Sequence, residues 1–441
     1  MLAFFMLVLM CSCSNNDYVN AIPSTATAIV KVDASKLGKD NASAVVASLL
    51  PGNDVADCGI DWSSNLYVFE TVDGNFGMCA KVSSESKLSD MLEGLASNGK
   101  CGKLHKQGDF TFLDINNVWA AGFSDKAIVV LGPVSTAALP DAQRSIMRML
   151  RQDEDASIKS SNMFEKLDSI ESAVGMVARV DALPEKFVAP FTIGAPKGAD
   201  ASQILVAVSF GKKNGVVCMD GETFSFNPSV DAALKKASSS YRKISGDYLG
   251  MLPNDCQLGL FTNVDGNQFL PMLQSNKSLQ ALLVGINTAV DFDNIMRSVD
   301  GDLVFATDGL MSDKMDFTMY AKVKNPQWTS DVDYWKQSCS AGASITGTSG
   351  VWVYNSGSTH FAFGLSGDMF YGTTDAGLVP GAAAKDAKPL PSNLQDIVRG
   401  NRMVMLLNIG GIAGGTKLPD GINGIVQHVL GDVKYVAYVL R

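Results

Sequence analysis

The chain has 441 residues, 46% of them hydrophobic, with 41 glycines and a formal net charge of −9. That content suits a globular protein of two or three domains rather than a disordered one. The acidic balance, with an isoelectric point near 4.9, excludes nucleic acid as a partner, because phosphates call for a basic face.

In chain order the first element is the apolar run MLAFFMLVLM. A membrane-spanning helix needs about 20 apolar residues, so this run matches the h-region of a secretory signal instead. Cys11-Ser12-Cys13-Ser14-Asn15 follows, an abrupt switch to small and polar residues. The pattern resembles the lipobox of bacterial lipoproteins, in which a small residue precedes a cysteine that is acylated and becomes the mature N-terminus. Cys13 follows the small Ser12 and is the expected lipidation site; Cys11 follows the bulky Met10. No Lys or Arg precedes the apolar run, which departs from a full signal. Residues 1–12 are thus read as a signal peptide and 13–21 as a lipidated linker. Lipoproteins kept at the inner membrane often carry Asp where this chain has Ser14. The resemblance therefore implies the outer membrane, with the periplasmic or surface side open. No later stretch approaches 18 uninterrupted apolar residues.

Beyond the anchor, four blocks recur in order. Pro23-STATAIVK-Val32-Asp33 matches Pro253-NDCQLGLFTN-Val264-Asp265, each an apolar strand ending in Val-Asp. Helical segments with paired leucines follow, Leu49-Leu50 and Leu282-Leu283. Next come two hairpins closing in Ala-Lys-Val, at Val82 and at Val323. Each leads into a helix with spaced large apolar residues: Leu88, Met91, Leu92 and Leu95 in the first, Trp328, Val332 and Trp335 in the second. The third block aligns the turn after Gly122-Phe123 with that after Gly364-Leu365. The fourth aligns a short helix and strand from Leu167 with those from Leu394. A last strand, SQILVAVSF, pairs with DVKYVAYVL at the C-terminus.

Alternating apolar runs bounded by turn residues are half-buried strands. Asp73-Gly74, Asn214-Gly215 and Gly367-Asp368 supply the tight turns, since Gly and Asn tolerate positive φ. The pattern predicts an α+β fold of two homologous domains, residues 22–245 and 246–441. Each is expected as β-α-β-β-α-β-β-β-α-β-β, a curved antiparallel sheet with helices packed on one face. The boundary is placed at Ser238-Ser239-Ser240 and Ser245-Gly246, after an extra hairpin strand, VVCMDGETFSF, that the second copy lacks.

Three motifs carry a resemblance: IPxxAxxIVxVD from Ile22 to Asp33, GIDW at Gly59–Trp62, and VDGDLVFA at Val299–Ala306. Together they resemble a family of Bacteroidota envelope lipoproteins classed only as a domain of unknown function. Membership implies an envelope lipoprotein accessory to surface assembly or nutrient capture, and it brings no catalytic residues.

Several residues invite chemistry. Asp33 and Asp265 occupy equivalent places before helices, where Asp accepts N–H bonds as an N-cap; the capping reading is preferred, with Asp181 as a third Val-Asp. Asn408-IGGIAGGTK-Leu418 is glycine-rich, but Gly415-Thr416-Lys417 reverses the order of a phosphate loop. Asp153-Glu154-Asp155 and Asp291-Phe292-Asp293-Asn294 lack the calcium-loop pattern and read as a solvated linker and a helix start. His105, His360 and His428 are scattered, without ligand spacing, and no GxSxG elbow exists. Cys58, Cys79, Cys101, Cys218, Cys256 and Cys339 show no CxxC spacing and read as mostly free thiols, Cys79 as a buried strand residue. Among the tryptophans, Trp62, Trp119, Trp328, Trp335 and Trp352, the third-block pair Trp119 and Trp352 reads as repeat-equivalent core.

The expected function is therefore a membrane-anchored, non-enzymatic binding or assembly module of the bacterial envelope. The alternatives are an envelope hydrolase acting on glycan or peptide through unmarked carboxylates, and a purely structural envelope protein. Cys13 is the only site residue assigned; no catalytic, cofactor or metal residue is. The expected partners are a membrane, through the anchor, and an envelope protein or glycan.

Overall fold

The computed structural model describes residues 16–47, 57–183, 185–253, 256–287, 290–307, 316–348, 350–357, 359–375, 379, 387–409 and 434–440. The chain divides into two compact units, one running to Ala178 and the other starting at Arg179 and including 434–440.

The first unit contains strands β1 (Ala28–Val32), β2 (Leu66–Glu70), β3 (Phe76–Lys81), β4 (His105–Gln107), β5 (Phe110–Ile115), β6 (Trp119–Phe123), β7 (Ala127–Gly132) and β8 (Val174–Arg179). Its helices are α1 (Ala34–Leu37), α2 (Lys39–Ala47), α3 (Glu85–Ser97), α4 (Leu139–Arg151) and α5 (Asn162–Asp168). The strands lie side by side as β8-β1-β2-β3-β7-β6-β5-β4, every pair antiparallel. Helix α4 buries Leu139, Ala142, Ile146 and Met149, one stripe at helical spacing, against β6 and β7. Gly122 permits this approach: a Cβ there would stand 2.7 Å from Ile146 Cγ2 and from the Phe112 ring. Burying Ile146 this way contributes about 1.5–3 kcal/mol.

The second unit adds strands β9 (Leu205–Lys213), β10 (Val216–Phe224), β11 (Leu252–Pro253), β12 (Leu258–Asp265), β13 (Val299–Thr307), β14 (Phe317–Val323) and β15 (Ala343–Thr348). It continues with β16 (Val351–Ser356), β17 (Thr359–Ser366), β18 (Met369–Thr373), β19 (Ala387–Lys388), β20 (Met403–Asn408) and β21 (Tyr435–Leu440). Its helices are α6 (Glu185–Thr192), α7 (Pro228–Ser240), α8 (Gly266–Ser275), α9 (Lys277–Asn287), α10 (Phe292–Arg297), α11 (Val332–Ser338) and α12 (Ser392–Val398). The main sheet runs β9-β10-β21-β20-β12-β13-β14-β18-β17-β16-β15. Only the β10–β21 pairing within it is parallel; β11 and β19 form a separate two-stranded ribbon.

Set side by side, β8-β1-β2-β3-β7-β6-β5-β4 and β20-β12-β13-β14-β18-β17-β16-β15 have the same pairing order. The register agrees as well. Lys81 faces Ala127 and Gly122 faces Val129, while Lys322 faces Met369 and Gly364 faces Tyr371. Both Ala-Lys-Val endings lead into the expected helices: Leu88, Leu92 and Leu95 are buried in α3, and Trp328, Val332 and Trp335 at α11. Leu167 and Leu394 are fully buried in the short fourth-block helices. The predicted tight turns at Gly74, Asn214-Gly215 and Gly367 all have positive φ.

Four expectations differ from the structure. The boundary expected between 245 and 246 falls inside the second unit, which begins at Arg179. Hairpin β9–β10, assigned to the first copy, joins the second sheet because β10 lies against β21; β9, expected as the counterpart of β21, is two places from it. Helices do not keep to one face in the second unit. Phe191 of α6 meets Tyr438 edge-on, while Leu394 and Ile397 of α12 share a cluster with Ala437 and Val439. Neighbouring residues of a strand point to opposite faces, so both faces are covered. Finally, the residues up to 21 are no linker from Asp17 on, since Tyr18, Val19 and Ala21 are buried in the turn Asp17–Ala21.

Candidate functional site

Cys13 lies outside the described residues, as do the glycine-rich stretch beyond Ile409, Leu49-Leu50 and His428. The remaining candidates can be followed individually.

Asp33 accepts from the amides of Ser35 and Lys36, each at 3.1 Å, and Asp265 from that of Asn267 at 2.9 Å. Both are N-caps, of α1 and α8. Partial burial pushes the Asp33 carboxyl up, but hydrogen bonds from Ser35 and Lys36 outweigh it and the net shift is downward. Asp181 differs: it sits in a 3-10 turn whose N-cap is Arg179, and its carboxylate pairs with that arginine. Asp291 caps α10, accepting from the Asn294 amide at 3.0 Å. Asp153-Glu154-Asp155 is exposed turn, with Glu154 2.7 Å from Lys159. His360 is exposed and bonds Asn355 across β16 and β17; His105 lies near the Phe112 ring. Among the described residues none of these six cysteines forms a disulfide, and Cys79 is fully buried. Trp119 and Trp352 are both buried, but they lie on β6 and β16, strands at different places in the shared pairing order, so they are not equivalent.

The GIDW motif forms the entry to α3. The Gly59 carbonyl accepts from the Ser83 amide at 2.7 Å and the Ser84 amide at 3.1 Å. Gly59 has φ +88°, and a Cβ there would stand 2.3 Å from the Ser84 carbonyl oxygen, so only glycine fits. Asp61 accepts from the Ser63 amide at 3.0 Å and hydroxyl at 2.6 Å, and from the Ser64 hydroxyl at 3.1 Å. Lys81 Nζ stands 3.0 Å from Asp61 Oδ2, the oxygen that also accepts from Ser64. Burial opposes ionisation, yet the bonds from Ser63, Lys81 and Ser64 prevail and hold Asp61 down at about 2.

In VDGDLVFA the pairing register of β13 with β14 shifts between Val299 and Leu303. Asp300 pairs with Arg242 at 2.8 Å. Asp302 is 1% exposed and accepts four bonds. These come from the amides of Ser245 (2.9 Å), Gly246 (2.6 Å) and Asp247 (3.1 Å), and from Asn263 Nδ2 (2.7 Å). Composition alone does not single out Asp302; its place in the quoted motif, in Asp300-Gly301-Asp302, is the available signal. In the proline motif, Ile22, Ala26, Ile29 and Val32 are buried.

Two hollows remain. In the first unit an open groove of about 550 Å³ runs along α5, lined by Ser160, Ser161, Glu165 and Asp168 among others. In the second, a cavity of about 200 Å³ at the end of β12 and β20 is walled by Leu252, Phe261, Leu390 and Leu406, with Lys434 and Tyr435 at its side. Among the described residues no cluster of three or more His, Cys, Asp or Glu could hold a metal ion.

Comparison with known proteins follows these observations. Two solved structures, crystal forms I and III of TP0453, share 9% and 8% identity with this chain, each at a TM-score of 0.24. The first alignment covers 87% of this chain and 96% of TP0453, the second 81% and 92%. No curated protein matches. The family model of DUF4836, a domain of unknown function, matches residues 32–396, which takes in GIDW and VDGDLVFA. The chain belongs to this family.

Proposed function

We propose that this chain is a lipid-anchored, non-enzymatic binding or assembly module of the bacterial envelope, built by duplication of one α+β unit. The observation that carries this reading is what the motif carboxylates do. Asp33, Asp61 and Asp302 each accept backbone amides at turns and helix starts. A carboxylate so engaged holds the chain in place and is removed from general acid or base work. The family motifs thus encode architecture, and the surfaces between them are free to bind. The repeated pairing order and register support duplication, and the Ser12-Cys13-Ser14 context supports acylation at Cys13 and an outer-membrane address.

Cys13→Ser tests the anchor. One acylated cysteine is the whole attachment in this reading. The variant is expected to lose palmitate labelling and leave the washed membrane fraction. Retention and labelling equal to the wild type would sink the assignment.

A further inference from the structure

The chain enters the core very soon after Cys13. Tyr18 and Val19 are buried, the Tyr18 hydroxyl donates to the Asn65 carbonyl at 2.8 Å, and Cys79 Sγ donates to the Tyr18 carbonyl at 3.3 Å. From Cys13 to Asp17 is four residue steps, a reach of at most about 14 Å even when extended. An acylated Cys13 would therefore hold the face bearing the turn Asp17–Ala21 close against the bilayer.

Helix α4 packs directly on that turn, and Gln152 at its end donates to the Asn20 carbonyl. Its outer face carries Arg144, Arg148 and Arg151, all exposed and spaced i, i+4 and i+7 along one side. Within the helix Asp141 pairs with Arg144, and Arg148 Nη2 stands 3.0 Å from Ser145 Oγ. The Arg151 guanidinium lies 5.4 Å over the Phe110 ring, a cation–π contact that itself uses none of its N–H donors. Acidic groups are also near: Asp17 in the turn, and Asp153, Glu154 and Asp155 after the helix, of which Glu154 pairs with Lys159. Three arginines on one short helix stand out in a chain of net charge −9. Guanidinium groups bind phosphate oxygens bidentately.

We propose that the arginine row of α4 rests on the phosphates of an anionic bilayer, held there by the short tether from Cys13. This rests on the anchored reading above. The tether restricts which face can meet the lipid, and the arginines supply the charge that matches it.

The test uses the full lipidated chain on vesicles of phosphatidylcholine alone and of equimolar phosphatidylcholine and phosphatidylglycerol. Flotation at limiting lipid and hydrogen exchange of residues 139–151 are read together. The expected result is slower exchange in α4 on the anionic vesicles only, abolished by high salt. Replacing all three arginines by Gln should remove the flotation advantage of the anionic vesicles, roughly fivefold per arginine. Replacement by Lys should keep most of it, which separates lost charge from lost fold. Equal α4 exchange on both vesicles, or a Gln variant that floats like the wild type, would overturn the proposal. So would inorganic phosphate slowing α4 as much as the anionic vesicles do, since the occupant would then be free phosphate. Pure phosphatidylcholine reads the anchor separately. If Cys13→Ser floats there like the wild type, the tether argument falls and the anionic increment alone decides the arginine row.

Discussion

Asp302 Oδ2 accepts the backbone amide of Gly246 at 2.6 Å, tying strand β13 to a segment 56 residues earlier in the chain. With the Ser245 and Asp247 amides and Asn263 on the same carboxylate, a Ser-Gly-Asp stretch that reads as a linker becomes a fixed part of the second unit. Asp302→Ala would leave three part-buried amides and the buried Asn263 donor without their acceptor. The expected cost is about 3 kcal/mol or more, or a fall of about 5–10 °C in the melting point of the second unit. A melting curve that overlays the wild type would contradict the clamp.

Asp61 predicts a pH dependence. Its folded value, about 2, lies below the unfolded value of about 3.9, so the unfolded chain binds the proton more readily. The stabilisation is present in full above the unfolded value and drains away as pH falls toward 2. Asp61→Asn should therefore be less stable than the wild type at pH 6, and the gap should close between about pH 4 and pH 2. A gap that stays constant across that range would show that Asp61 gains nothing from ionisation.

Gly122, facing Val129 on β7, and Gly364, facing Tyr371 on β18, predict unequal costs. A Cβ on Gly364 would stand 1.9 Å from the Gly350 carbonyl oxygen, which is backbone, whereas on Gly122 it meets the Ile146 and Phe112 side chains at 2.7 Å. Side chains can shift and a paired backbone cannot. Gly364→Ala should cost about 3 kcal/mol, and Gly122→Ala about 1–2 kcal/mol. Ile146→Ala should absorb part of the Gly122→Ala cost, so that the double variant loses less than the two singles combined. Additive losses in urea titrations would refute the contact.

Much of this fold could be read from local pattern. Strands with alternating apolar residues, Asn-Gly and Asp-Gly turns, and the N-caps Asp33 and Asp265 are short-range features, and the structure carries them all. Pairing between distant segments is not written locally. Nothing in VVCMDGETFSF announces that Cys218 will lie beside Ala437, so by sequence alone the hairpin goes with its chain neighbours. Ser238–Ser240 looks like a linker by composition, yet it ends α7. Trp119 and Trp352 read as core on equivalent strands of the third block, whereas the pairing places them on β6 and β16, which do not correspond. The motif carboxylates were visible as residues, but Asp302 shows its role only once the chain has folded back on it. The arginines of α4 carry no signal in the sequence alone; only the packing of that helix on the buried turn Asp17–Ala21 relates them to the N-terminal segment.

The division of the chain at Ala178 is tested most directly through β21, which lies between β10 and β20 in the second sheet. Deleting residues 435–441 removes that strand, and hydrogen exchange then reports which segments depended on it. The predicted result is loss of protection at 205–224 together with 403–408, while β1, β2, β3 and β7 of the first unit keep theirs. Protection retained at 205–224, or lost there only in step with the first unit, would place the β9–β10 hairpin with the first copy and contradict the division.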